Sequence, residues 1–165
     1  MKVLDTIQIA LAGLAEGDHQ YHFDIDGSFF KSFEFSGISK CNLGIEIQMN
    51  KSSYMLVIEA EMEGKVNVPC DSCGSDFYLA IRGDERLIVK IGEQDNFDDE
   101  VWIMKSFDTD IDLTHFVYEC AMIMLPAKRI HRENECDEEA LKNLEKYSLS
   151  KVNKDPRWDK LKEIV

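Results

Sequence analysis

No apolar run in this sequence approaches the roughly 20 residues that a membrane-crossing helix needs. The opening stretch MKVLDTIQIALAGLAEGDHQ lacks the basic flank and unbroken apolar centre of a signal peptide, because Asp5, Gln8 and Gly13 interrupt it. Both absences point to a cytoplasmic location. Cations are also in short supply: 19 Lys and Arg face 32 Asp and Glu, a formal net charge of -13. That balance disfavours sequence-indifferent binding of nucleic acid by the whole body, which runs on phosphate neutralisation. A direct RNA role would need a local basic patch. The acidic blocks EQDNFDDE (93–100) and RENECDEE (132–139) read as a solvated loop and a helix start, or as a surface attracting a basic partner such as a ribosomal protein.

Enzyme signatures are missing as well. There is no Gly-rich phosphate loop, no H-E-x-x-H and no G-x-S-x-G, and no small-molecule substrate site can be identified. Asp108, Asp110 and Asp112 resemble a carboxylate cluster but lack the Gly and distal Glu of a calcium loop. They read as helix-start acids favoured by the macrodipole. No repeat or low-complexity tract appears.

What is present is a period-2 pattern up to about residue 91, followed by a helical period. Residues 6–25 read as two strands joined through Ala15, Glu16 and Gly17, and GSFFKSFEF (27–35) as a helical turn. LGIEIQMN and YMLVIEAEMEGKVNVPC form the clearest hairpin: Ile45, Ile47 and Met49 alternate with polar residues, as do Leu56 and Ile58. Gly64 predicts a break before a further strand, KVNVP. GSDFYLAI and RLIVKI predict a second hairpin with its loop around Gly83, and VWIMK a short strand. Ile111, Phe116, Val117, Ala121 and Met124 then predict a main helix over 110–125, capped by Asp110 and closed by Pro126; EEALKNLEKY predicts a second helix. The expected fold is α+β, a mainly antiparallel, partly curled sheet of hairpins covered by the main helix, with short helices towards the C-terminus. Residues 1–147 are expected to form one domain and 148–165 a basic tail.

Five cysteines, an odd number without an export signal, fit reduced thiols or a metal site better than a disulfide framework. Cys70 and Cys73 are spaced Cys-x-x-Cys in VPCDSC, between strands. Such a pair can chelate a metal, cycle between dithiol and disulfide, or stay idle. A thioredoxin-like site opens a helix in a βαβ unit, which is not the context here. A structural zinc site needs four ligands, and RIHRENEC supplies His131 and Cys136 just past the main helix. Cys70, Cys73, His131 and Cys136 are therefore the candidate zinc ligands. Cys41, Cys120, His19, His22 and His115 have no matching partners and are left out. The tail carries Lys151, Lys154, Arg157, Lys160 and Lys162, the densest basic segment, with Trp158 among them. Lys154, Arg157, Trp158 and Lys160 are the candidate partner-binding residues: cations for phosphate, and an aromatic ring to stack on a base or pack on a protein. Trp158 folding back as a clamp on the sheet is the competing reading.

Three segments taken in order resemble the YceD family, bacterial and plastid proteins tied by name to accumulation of large-subunit ribosomal RNA. They are IALAGLAEGDHQYHFDIDGSFF, GKVNVPCDSC, and ECAMIMLPAKRIH together with the terminal DPRW. The resemblance implies a non-enzymatic role in ribosome biogenesis, with a ribosomal precursor particle, a ribosomal protein or large-subunit rRNA as partner. It singles out Cys70, Asp71, Cys73, Cys136 and His131, with Asp155, Pro156, Arg157 and Trp158. Many members carry Arg between the two cysteines and an extra Cys-x-x-Cys near the C-terminus; this chain has Ser72 and the single Cys136, and looks like the Bacteroidetes form. A thiol-redox or metal-handling role for Cys70 and Cys73 is the alternative.

Overall fold

The computed structural model describes residues 6–34, 36–92, 102–106, 108–132 and 135–147. Among them the chain is mostly strand: β1 (Gln8–Ala10), β2 (Gly17–Asp26), β3 (Lys40–Lys51), β4 (Met55–Pro69), β5 (Asp76–Ile91), β6 (Trp102–Met104) and β7 (Asp110–Asp112). Three helices complete it: α1 (Gly27–Lys31), α2 (Thr114–Ile123) and α3 (Glu138–Tyr147). The fold is α+β. An open five-stranded sheet runs in the order β2-β3-β4-β5-β6, and β1 and β7 form a separate pair. The expected antiparallel pairing holds from β2 to β5, whereas β6 runs parallel to β5.

Strict alternation explains the hairpin of β3 and β4. Leu43, Ile45, Ile47 and Met49 on one strand, and Leu56, Ile58, Ala60 and Met62 on the other, are all buried on the same face. Each fully buried aliphatic side chain of this kind contributes roughly 1.5–3 kcal/mol. On α1, Asp26 accepts the Ser28 N–H at 2.7 Å as N-cap, and Phe29 and Phe30 are buried edge to face in the core. From β5 the sheet is covered by α2, whose Phe116, Val117, Cys120 and Ala121 are buried.

Three expectations are corrected. Gly64 does not end a strand: β4 runs through it opposite Leu43, and Gly64 is needed because an added Cβ would collide with the Asn42 carbonyl oxygen and lie 2.9 Å from Leu43 Cα. Nor does β5 turn at Gly83. Arg82, Asp84 and Arg86 continue the alternation on the solvated face, opposite Glu63, Glu61 and Glu59, while Gly83 sits under Met124 at the end of α2. The main helix begins at Thr114, since 110–112 are β7; Asp112, not Asp110, accepts the Thr114 N–H, at 2.8 Å. The two strands expected over 6–25 are both present, as β1 and β2, and they take different partners. β1 pairs with β7, and Lys51 holds the connection towards β2 by donating to the Leu11 and Leu14 carbonyls at 2.9 and 2.6 Å.

Gly64→Ala is expected to lower unfolding free energy by roughly 3 kcal/mol in a urea titration, because the clash is with backbone that cannot give way. Gly92→Ala, with open space around the added Cβ, is the control and should stay within about 0.5 kcal/mol of the parent.

Candidate metal centre

The four sulfur and nitrogen donors converge where β4 hands over to β5. Cys70 follows Pro69, the last residue of β4, and its N–H donates to the Ser75 carbonyl at 3.0 Å while the Gly74 N–H returns to the Cys70 carbonyl at 2.8 Å. Gly74, at φ +76°, supplies the left-handed residue that the tight turn demands. The turn directs backbone N–H groups at the thiols, with Ser72 N–H 3.4 Å from Cys70 Sγ.

A second segment, the chain after α2, is held against this turn by Asp71. Its N–H donates to the Arg129 carbonyl at 2.7 Å, its Oδ2 accepts the Arg129 N–H at 2.6 Å, and its Oδ1 accepts the Arg129 guanidinium at 3.2 Å. The Arg129 N–H and guanidinium hold the Asp71 carboxyl below its ordinary value. Two residues on, the His131 ring packs on Phe77 of β5, with centroids 4.5 Å apart. Cys136 then precedes α3, where Asp137 Oδ1 accepts the Ala140 N–H at 2.7 Å as an N-terminal cap.

The result is a Cys3His group whose donor atoms all lie within 4.8 Å of one another, with Cys70 buried and the other three half-buried. Cys70 Sγ is 3.9 Å from Cys136 Sγ, and His131 Nδ1 is 3.4 Å from Cys73 Sγ and 3.6 Å from Cys136 Sγ. A tetrahedral zinc with Zn–S of about 2.3 Å and Zn–N of about 2.0 Å separates its ligand atoms by about 3.8 Å (S to S) and about 3.5 Å (S to N). The donor set and its spacing therefore fit zinc. The charges fit too. Burial alone would raise the Cys70 thiol, but the N–H groups of Cys73, His131 and Ser72 outweigh it and bring the thiol down to about 6. Cys73 is lowered by the N–H groups of Asp137 and Ser75. Burial opposes charge on His131, yet the Cys70 and Cys73 sulfurs raise it, and burial with those same sulfurs pushes Cys136 up to about 11. The site therefore favours thiolate at Cys70 and Cys73 and favours retention of the proton at His131 and Cys136, and a divalent cation would displace the protons that the donors still hold.

All four candidate ligands are brought together. Cys41 and Cys120 lie elsewhere, half-buried on β3 and buried on α2, and burial pushes both thiols up to about 12, leaving them neutral. His22 bonds Glu46 on the sheet, and His115 pairs with Glu119 along α2. Lys154, Arg157, Trp158 and Lys160 lie outside the described residues. Arg129 is the residue that sequence reasoning missed: only its place two residues before His131 hinted at it. The amide donors to sulfur left no sequence signal.

Fold and site define a β-rich protein with a Cys3His metal-type centre joining a strand turn to a helix exit. The family model described as "Large ribosomal RNA subunit accumulation protein YceD" matches residues 58–165, which include the whole centre, and the chain belongs to this YceD family. Neither a curated protein nor a solved structure matches it.

Protein purified without chelator is expected to carry about one zinc per chain by elemental analysis; metal-free reduced protein would exclude the site. Chelation, or Cys73→Ser, should lower the melting midpoint by on the order of 10 °C, equivalent to roughly 3 kcal/mol in a chain of this size. Asp71→Asn leaves the ligands in place but should weaken zinc retention about 10-fold in a competitive chelator titration, since it loosens the clamp that positions His131.

Proposed function

We propose that this protein is a non-enzymatic ribosome-assembly factor that supports accumulation of large-subunit ribosomal RNA. The family match over residues 58–165 carries this reading. Zinc at Cys70, Cys73, His131 and Cys136 acts structurally: three thiolates and an imidazole complete its four positions, leaving none for substrate. The ion fixes the segment after α2 on the β4–β5 turn and so sets where α3 begins. In this reading, residues 1–147 are the folded domain. The tail 148–165 contacts the precursor particle in the cytoplasm through Lys154, Arg157, Trp158 and Lys160, on RNA or on a ribosomal protein. No helix among the described residues is long and apolar enough to cross a membrane.

Sucrose-gradient sedimentation of cell extract, with the protein and precursor rRNA both followed, tests the role. The protein is expected in the fractions holding large-subunit precursors; sedimentation only as free protein overturns it. Deleting residues 150–165 should abolish that association and leave the cooperative thermal transition intact. If the transition is lost instead, the tail is structural and the recruitment reading fails. The low Cys70 thiol favours one other reading, a dithiol reductant. Insulin reduction that depends on Cys70 and Cys73 would support it in place of the assembly role.

A further inference from the structure

The strand registers lay out the solvated sheet face in rows, and the rows change character along its length. In the middle, Glu46, Glu61 and Asp84 stand directly opposite one another across β3, β4 and β5. Towards the Cys turn the acids thin out. The next-to-last row across all three strands holds Asn42, Lys65 and Ala80, and the last holds Lys40, Asn67 and Tyr78; beyond it only β4 and β5 continue, with Pro69 opposite the exposed Asp76. Tyr78 is 60 % exposed. Its next neighbour on the same face is the small Ala80, so nothing bulky on that strand screens the ring on that side. Beside it lies a depression of about 540 Å³ lined by Cys41, Asn42, Gly64, Lys65 and Tyr78. That volume is within the about 300–1,000 Å³ of small-ligand sites.

The chemistry of this lining is specific. Tyr78 offers a stacking face, Asn42 an amide that can pair with a base edge, and Lys65 one cation for one phosphate. Cys41 adds no charge, because burial, helped by the Asp26 charge, keeps its thiol neutral. The acid in the Asn42 row, Asp26, is turned into the start of α1, where it caps the Ser28 N–H. A ligand held mainly by phosphate contacts would be repelled by a body of net charge -13. One held mainly by stacking, with a single ion pair, draws less of its affinity from charge and so loses less to that repulsion.

We propose that this depression seats one nucleotide of a single-stranded RNA, its base stacked on Tyr78 and a phosphate against Lys65. The proposal deepens the assembly role and rests on it: it names the face of the folded domain that meets RNA.

The test is fluorescence anisotropy of the full chain with a 5′-fluorescein 12-nucleotide single-stranded RNA, run at several salt concentrations. Tyr78→Ala should weaken binding about 10-fold, as loss of one base–aromatic stack does, and Tyr78→Phe should retain it. Lys65→Gln should weaken it less and reduce the slope of log affinity against log salt by about 0.7, the value for one phosphate on a single strand. Tyr54→Ala, removing another exposed tyrosine beyond the opposite end of β4, should change nothing. Equal binding by Tyr78→Ala and the parent overturns the proposal. A parent protein that ignores the oligonucleotide yet sediments with precursor particles also overturns it while leaving the assembly role standing. Release of Tyr78→Ala from those particles, with oligonucleotide binding unaffected, does the same and makes the face a protein contact.

Discussion

The register of β4 is the constraint on which the rest depends. This 15-residue strand is paired along its length, with β3 on one side and β5 on the other. Because side chains alternate with period 2, a slip of one residue would turn Leu56, Ile58, Ala60 and Met62 out to water and bring Glu59, Glu61 and Glu63 into the core. Burying three unpaired carboxylates costs far more than any local gain. One register therefore survives. It determines that Pro69 lies opposite Asp76, and hence that Cys70 and Cys73 fall in the connecting turn rather than in either strand.

The centre is then assembled from two distant pieces of chain by interactions of different kinds. Asp71 binds Arg129 through backbone and side chain together, and His131 rests on Phe77; both place the imidazole before any metal is considered. The amide dipoles at Cys70 and Cys73 favour thiolate at a site where burial alone would oppose it. Asp71 is thus the positioning residue of the turn, which gives a physical reason for an aspartate directly after the first cysteine.

How much of this could be read beforehand follows the strength of each local signal. The β3–β4 hairpin was legible up to Met62 because apolar residues fall at every second position on both strands, whereas Gly64 beyond it looked like a break. The continuity of β5 was not, since the polar run Arg82, Gly83, Asp84, Glu85 has the composition of a turn, and only its pairing with β4 shows that Arg82 and Asp84 are facing solvent mid-strand. β7 was hidden for a related reason: a three-residue strand with acids at both ends looks the same as an acidic helix start. For the site, the four donors were legible as residue types, Cys-x-x-Cys and a later His and Cys. The clamp was not, because two of its three bonds use backbone groups that every residue has.

The pairing of β1 with β7 joins residues about a hundred positions apart: Ile9 lies opposite Ile111, Ile7 N–H reaches Thr114 Oγ1, and Leu113 N–H reaches the Ile7 carbonyl. Chains are made from the N-terminus at roughly 5–20 residues per second, so the first strand emerges roughly 5–20 s before its partner exists. Throughout that interval Ile7, Ile9 and Leu11, all buried in the finished protein, have no β7 to cover them. This strand is made about a hundred residues ahead of its partner, and until β7 follows, its apolar residues must be shielded by something else.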